Sequence, residues 1–350
     1  MKSKKSIFGA VLLIPFLCLA SMECCDKKII PSNPQDIPLD GRGGGVIIYC
    51  YQPLQNGLHQ IFGINADGSG NKKLIDATIG LNHHDISPNG QNLIAVGYSS
   101  QSTWSIYLFH YDGTGLTRLT NTNDVFDSDP VWSPDGTQIV FTRIYPDQNM
   151  KNEIWIMNAD GTNQHYIGVE GFSAKWSPDG SQLIFTNTGP WDPPGIKGSD
   201  IWICDVNGAD LRQITDTPSD EWYPSWSPDG NQIVFNAHAT GDDSSSDIYI
   251  MDTDGGNLQR LTDNNTYDGY PRFSPDGSLI SFGRDLSNRQ WEVFIMNADG
   301  TSVRRVTNSP SGVTAINAVW RPTSESKGIS WTSCRTSLSS QTGKNQRGIP

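Results

Sequence analysis

The chain has 350 residues, of which 36% are hydrophobic, and its formal net charge is −12. Its 35 glycines, 21 prolines and 11 tryptophans indicate many short strands joined by tight turns. Because such an acidic surface repels phosphate backbones, the composition argues against nucleic-acid binding. Beyond the first twenty residues, no helical pattern of apolar residues extends over three turns, which argues against a helical fold.

The N-terminus is predicted to be an export signal, residues 1–20. Three lysines fall within the first five residues, and the apolar run that follows, 7–20, is too short to span a bilayer comfortably. Two outcomes remain open: cleavage after Ala20, or lipidation of Cys24, which would tether the protein to a membrane. Both predict an exported protein, either periplasmic or anchored in the envelope of a bacterium.

A motif of serine, proline, aspartate or asparagine, and glycine recurs along the chain. Its copies begin at Ser87, Ser133, Ser177, Ser227 and Ser274, at spacings of 46, 44, 50 and 47 residues, and a degraded sixth copy lies at 320–322. A second motif, an apolar run ended by Asp-Gly or Asn-Gly, occurs six times in phase with the first. Its glycines are Gly68, Gly113, Gly161, Gly208, Gly255 and Gly300.

Each repeat is interpreted as four antiparallel strands, A to D. Strand A ends in the Ser-Pro-Asp-Gly turn, strand C ends in the Asp-Gly turn, and strand D carries a Leu-Thr pair. Strands B and C are apolar on successive residues, as expected where a sheet is covered on both faces. Four strands in a repeat of about 40–50 residues are typical of β-propellers. The sequence therefore predicts an all-β, six-bladed propeller.

The two ends of the repeat region predict how the ring closes. Residues 45–51 resemble a strand B with no strand A before it, and residues 318–320 resemble a strand A with no strand B after it. Joined, they complete one blade from N-terminal strands and a C-terminal strand. The predicted organisation is a signal peptide at 1–20, a Pro/Gly-rich tether at 21–44, the propeller at 45–325 and a disordered tail at 326–350.

The two motifs in register resemble the repeat of the TolB-like β-propeller family, a relative of the WD-repeat propellers, over residues 45–322. TolB itself has an α/β domain before its propeller, and the resemblance here is to the propeller alone. In that family the propeller binds other envelope proteins at the mouth of its channel. The resemblance therefore implies a module that binds an envelope protein or peptide. We also expect a monomer with no cofactor.

Candidate binding residues follow from the predicted strand order. The B–C and D–A loops share one face and vary in length, which is where binding tends to reside on a rigid scaffold. Strand A should be innermost, so residues three positions before its aromatic residue (or its counterpart Ile86) should line the channel mouth. These are His83, Asp129, Ser173, Tyr223, Tyr270 and Asn317; the acidic residues five positions before are Asp127, Glu221 and Asp268.

Trp191 and Trp222, in loops on the same face, are further contact candidates. The alternative interpretation of all these residues is that they are solvated loop residues or turn caps.

His83, His84 and Asp85 are adjacent on a predicted strand A. Because neighbouring strand residues point to opposite faces, His83 and Asp85 are expected on one side and His84 on the other. A metal would need ligands from other blades, such as Asp129, and packed, hydrogen-bonded histidines are the preferred interpretation.

No catalytic motif such as Gly-x-Ser-x-Gly is present, which favours a binding module over an enzyme. The alternatives are a metal-dependent carbohydrate lyase or hydrolase acting at the channel mouth, and a purely structural repeat protein.

Overall fold

Six four-stranded antiparallel sheets, arranged as the blades of a propeller, form the fold. A computed structural model describes residues 39–53, 58–75, 77–98, 103–187, 198–239, 245–287 and 289–322. The predicted signal peptide, the C-terminal tail and most of the tether lie outside these residues. Within them, a 3₁₀ turn at Pro146–Gln148 is the one helical segment, and no helix has the length and apolar character needed to cross a bilayer.

The strands run in chain order from the first blade to the last. Blade 1 begins with β1 Val46–Pro53, β2 Gln60–Asn65 and β3 Lys72–Lys73. Blade 2 is β4 Gly80–Ile86, β5 Asn92–Tyr98, β6 Ser105–His110 and β7 Thr117–Arg118. Blade 3 is β8 Phe126–Trp132, β9 Gln138–Tyr145, β10 Lys151–Asn158 and β11 His165–Glu170. Blade 4 is β12 Phe172–Trp176, β13 Gln182–Asn187, β14 Asp200–Asp205 and β15 Arg212–Gln213.

Blade 5 is β16 Ser219–Trp226, β17 Gln232–Ala239, β18 Asp247–Asp252 and β19 Gln259–Arg260. Blade 6 is β20 Asp268–Phe273, β21 Leu279–Asp285, β22 Trp291–Asn297 and β23 Arg304–Arg305, and the last strand is β24 Val313–Trp320. β24 pairs with β1, so the order in blade 1 is β24-β1-β2-β3. Ile47 lies opposite Trp320 and Ile48 opposite Val319, which confirms the predicted closure of the ring.

The apolar core lies between the blades. The described residues form six clusters of buried side chains, and each cluster is shared by two neighbouring blades, including blades 6 and 1. Between blades 3 and 4, for example, Val140 and Ile154 belong to the same cluster as Leu183 and Phe185. Burying one such side chain contributes about 1.5–3 kcal/mol. Each blade therefore depends on both of its neighbours.

The Ser-Pro-Asp-Gly motif forms a self-contained turn between strands A and B. In blade 3, the Ser133 hydroxyl donates to the Asp135 carboxylate over 2.6 Å and accepts from the backbone N–H of Gln138 over 2.9 Å. The same two hydrogen bonds recur in the other four complete copies. The motif repeats because each hairpin needs this bonding, so it specifies the fold and carries no information about a ligand.

The Leu-Thr pair follows strand D and ties it to strand C. The hydroxyl of Thr120 accepts a hydrogen bond of 3.0 Å from the backbone N–H of Ile106, at the start of β6. Thr215, Thr262 and Thr307 accept equivalent bonds of 2.8–3.0 Å in blades 4, 5 and 6. All four threonines are buried, so the hydroxyl replaces a backbone acceptor where the short strand D has ended.

The Asp-Gly glycines have a second role that the sequence did not reveal. Gly208 has φ +82°, in the left-handed region, and a Cβ at this position would overlap the carbonyl oxygen of Ile167 in the preceding blade. Gly113 stands in the same relation to the carbonyl oxygen of Leu74. Glycine is therefore needed both for the turn and for the close approach of adjacent blades.

Gly208→Ala tests this packing against a matched control, Gly168→Ala. Gly168 has a similar φ of +88°, but a Cβ there would meet no atom within 4 Å. We expect Gly168→Ala to lower the free energy of unfolding by about 1–2 kcal/mol, from backbone strain alone. Gly208→Ala should lose about 1–3 kcal/mol more through overpacking. Urea denaturation measures both, and equal losses would contradict the inter-blade role.

Candidate binding site at the propeller channel

A β-bulge interrupts strand A in every blade, and it occurs at the positions that the sequence placed at the channel mouth. The register with strand B shifts there in each of the six sheets. The residue at each bulge has a left-handed φ of 40–58°: His83, Asp129, Ser173, Tyr223, Tyr270 and Asn317. All six line one small cavity, where the innermost strands meet. A bulge redirects its side chain, and here it turns six of them toward the cavity.

The bulge also changes the predicted orientation of the histidines in blade 2. Strict alternation would place His83 on one side of the strand and His84 on the other. Instead, both His83 and His84 line the cavity, because the extra residue at the bulge resets the alternation. Burial lowers the pKa of His84 to about 3, so its imidazole is neutral at neutral pH.

His83 and Asp129, which the sequence considered together as metal ligands, are hydrogen-bonded to each other. Nδ1 of His83 lies 2.5 Å from Oδ1 of Asp129, and the Ser173 hydroxyl donates to Oδ2 over 3.3 Å. Burial opposes ionisation of Asp129, but His83, Lys175 and the Ser173 hydroxyl together hold the pKa of this carboxyl below its usual value. Three adjacent blades thus share one carboxylate.

A second charged pair joins two blades near this group. Arg272 in blade 6 lies 3.3 Å from Oδ1 of Asp85 in blade 2, and Oδ2 of Asp85 accepts a hydrogen bond of 2.9 Å from the backbone N–H of Trp132. Lys175, on β12 in blade 4, lines the same cavity. The cavity volume is about 40 Å³, room for a few water molecules. The central cavity is therefore small and has charged side chains in its lining.

Aromatic side chains cover one side of the channel, on blades 4 to 6. The rings of Tyr223 and Tyr270 lie 4.2 Å apart between centroids, and Phe172 packs edge-on against Tyr223 at 6.2 Å. Trp291 contacts Tyr270 at 5.9 Å. We call the partly exposed rings of Phe172, Trp222, Tyr223, Tyr267, Tyr270 and Trp291 the aromatic cluster. Asn317, His83 and Asp129 make the opposite side polar.

A cleft of about 660 Å³ extends from the aromatic cluster toward blade 1. Tyr267 and Trp291 form part of its wall, with Gln52 on the blade 1 side. In blade 6, Gly269 pairs with Gly283 across strands A and B, and a Cβ at either glycine would press against one of these two rings. The paired glycines therefore leave the space that the two rings occupy.

The structure does not bring Asp127, Glu221 and Asp268 to the channel mouth. Asp127 forms a bidentate pair with Arg143, at 2.7 and 3.2 Å, and Asp268 forms one with Arg284, at 2.6 and 2.7 Å. In each case the arginine lies directly opposite on strand B, so the carboxylate is held inside its own blade. Their exposed fractions are 0% for Asp127, 2% for Glu221 and 0% for Asp268.

Glu221 has no arginine opposite and accepts hydrogen bonds from the hydroxyls of Thr215 and Thr217. Burial raises its pKa to about 7. Trp222 was predicted in a loop, but it lies on strand β16, where it pairs with Asn236 of β17. It is half-buried and packs edge-on against His238 at 4.9 Å and Tyr223 at 6.2 Å. Trp191 and Cys24 lie outside the described residues, so their roles stay predictions.

The buried carboxyl of Glu221 predicts a pH dependence of stability. In the unfolded chain this carboxyl ionises near pH 4.5, whereas in the folded protein its pKa is about 7. Between these values only the folded state keeps the proton, so the free energy of unfolding should fall as pH rises, by up to about 3 kcal/mol. Denaturation at pH 5 and pH 8 should show this fall in the wild type and in exposed Glu170→Gln. A fall of the same size in Glu221→Gln would refute the assignment.

Known proteins share this architecture, and one protein family matches the sequence. Residues 50–190 and 196–333 match the TolB beta propeller domain family. TolB from Acinetobacter baumannii is 20% identical, with a TM-score of 0.67 over 80% of this chain and 67% of that chain. A putative TolB from Agrobacterium tumefaciens is 18% identical, with a TM-score of 0.59 over 80% and 99%.

Hydrazine synthase from Kuenenia stuttgartiensis is 14% identical, with a TM-score of 0.65 over 79% of this chain and 46% of that chain. At such identities the structural matches show a shared fold alone. The family match, in contrast, spans most of the sequence and contains both repeat motifs. The chain belongs to the TolB beta propeller domain family.

Proposed function

We propose that this protein is an exported binding module of the bacterial cell envelope, which holds a protein or peptide partner at the mouth of its channel. The observation that carries the proposal is the pair Tyr223 and Tyr270, whose rings pack with centroids 4.2 Å apart and planes tilted by 38°, and which are partly exposed at the centre of the aromatic cluster. Family membership supports it, because TolB-like propellers are protein-interaction domains.

The aromatic cluster suits a protein partner for physical reasons. Tyrosine and tryptophan dominate binding hot spots, since each offers a large rigid surface with few rotatable bonds. Tyr223 and Tyr270 are further fixed by their left-handed backbones and by mutual packing, so little entropy is lost when a partner binds. Because the cavity beneath holds only about 40 Å³, a partner would lie on the mouth and would not thread the channel.

The different chemistry of the two sides of the mouth would fix the orientation in which such a partner binds. Apolar groups of the partner would contact the aromatic cluster on blades 4 to 6. Polar groups would face Asn317, whose amide donates to Asn82 over 3.0 Å, and the pair of His83 and Asp129. Protein interfaces commonly combine aromatic contacts with polar ones in this way.

Export is part of the proposal, with either release after Ala20 or lipidation of Cys24. The mass of the mature N-terminal peptide distinguishes these two forms.

The metal-dependent carbohydrate-active enzyme remains the alternative. It would use His83 and Asp129 as ligands, which requires them to exchange their mutual hydrogen bond for a cation. Within the described part of the chain, no group of three or more His, Cys, Asp and Glu side chains is placed to hold a metal ion. Stoichiometric manganese or calcium in the purified protein, lost in His83→Ala, would favour this alternative over the binding module.

The double variant Tyr223→Ala/Tyr270→Ala tests the proposed face. Crosslinking and mass spectrometry on intact cells would first identify the partner, and calorimetry would then give its affinity. Truncating a hot-spot aromatic costs about 2 kcal/mol or more, so we expect binding to weaken at least about 30-fold. Tyr249→Ala is the matched control: it removes a half-buried tyrosine on β18, in the same blade as Tyr223, which packs on Phe235 at 5.8 Å. Unchanged affinity in the double variant would reject this face.

A further inference from the structure

Not every charged group around the central cavity has a direct partner of opposite charge. Asp85 pairs with Arg272, and Asp129 pairs with His83. Lys175 lines the same cavity, yet among the described residues its Nζ has no carboxylate oxygen within 4 Å and makes no hydrogen bond. An ammonium group held in a narrow cavity without a direct counter-ion is unusual, because desolvating a charge is costly.

The pKa of Lys175 agrees with the absence of a direct counter-ion. Burial, reinforced by the nearby positive charge of Arg272, lowers the pKa of Lys175 to about 7. Asp129 and Asp85 act in the opposite direction but do not offset the burial. An anion in contact with Nζ would supply the missing counter-ion and raise this pKa.

The other titratable groups that face the cavity are neutral donors or are already paired. Burial keeps His84 neutral and raises the pKa of the Tyr270 hydroxyl. It raises the pKa of the Tyr223 hydroxyl well above its usual value. His83 is hydrogen-bonded to Asp129. The surroundings of Lys175 therefore offer one unpaired cation with neutral hydroxyl groups on the neighbouring blades.

The size of the cavity limits which anion can enter. About 40 Å³ accommodates a few water molecules, which a planar carboxylate could replace. The cavity lies beside the aromatic cluster, since Tyr223 and Tyr270 line both. A peptide that packs on these rings would be placed to insert one acidic side chain or its C-terminus.

We infer that the central cavity is a receptor for a single carboxylate of the bound protein partner, with Lys175 as its counter-ion. This inference deepens the proposed function and rests on it for the source of the carboxylate. It identifies the partner by chemistry: a segment with an aromatic or apolar surface and one acidic group that projects from it.

The first experiment uses the wild-type protein and acetate as the probe. In protein labelled with ¹³C-lysine, NMR should show one lysine titrating near pH 7, and acetate should move that titration to higher pH. Because the charged fraction of a group with a pKa of 7 falls about tenfold from pH 6 to pH 8, acetate affinity should fall about tenfold over this range. A lysine that titrates near pH 7 but does not respond to acetate would overturn the inference.

Variants test whether Lys175 is the lysine that titrates near pH 7 and responds to acetate. Lys175→Met should abolish both the anomalous titration and the acetate response, whereas Lys72→Met, which removes an exposed lysine on β3, should preserve both. Lys175→Gln provides a second replacement if the methionine variant does not fold. Retained acetate binding in a folded Lys175 variant would contradict the assignment.

Further probes identify the source of the carboxylate. They also distinguish failure of this inference from failure of the proposed function. Galacturonate tests a sugar carboxylate, and a short peptide with a single glutamate tests a protein source; tighter binding of galacturonate would overturn the protein source. If acetate binds at Lys175 but no envelope protein depends on Tyr223 and Tyr270, the proposed function fails and the anion site stands. If the partner depends on the tyrosines while acetate does not bind, the carboxylate inference fails alone.

Discussion

Each blade of this protein has two apolar faces, and a sheet of that kind can be buried only between two neighbours. The six apolar clusters follow from this constraint, since every one is shared by adjacent blades. The first blade is covered in the same way because β24 returns to pair with β1. The glycines of the Asp-Gly turns serve the same constraint, because they let each blade approach the carbonyl groups of the one before.

The ring arrangement determines what faces the axis. Strand A is the inner edge strand of each blade, and its bulge places a non-glycine residue in the left-handed region six times. Such a backbone conformation costs about 1–3 kcal/mol and persists only where the surroundings enforce it. Here the enforcing surroundings are the packed blades, so the six side chains are held as a rigid set. Within that set, Tyr223 and Tyr270 belong to the aromatic cluster, and the other four side chains are polar.

The charges near the axis divide into two kinds. Asp127 and Asp268 are each paired inside their own blade with an arginine directly across the sheet. Asp129, Lys175 and Arg272 come from three different blades and line the central cavity, and Asp85, from a fourth blade, pairs with Arg272. Among these four, Lys175 has no direct partner in the described structure, and its lowered pKa reflects that position. The proposed carboxylate site rests on this difference between charges paired within a blade and charges that meet across the channel.

The sequence by itself determined the number of blades, the shared closing blade and the six positions that line the cavity. These features follow from local motifs repeated in phase, and a local turn can be recognised from its own residues. The tertiary structure decided what local motifs do not encode. The pairing of Asp127 with Arg143 depends on cross-strand register, and the orientation of His84 depends on a bulge that no single residue type marks. The surroundings of Lys175 come from blades that are distant in sequence and are joined only when the ring closes.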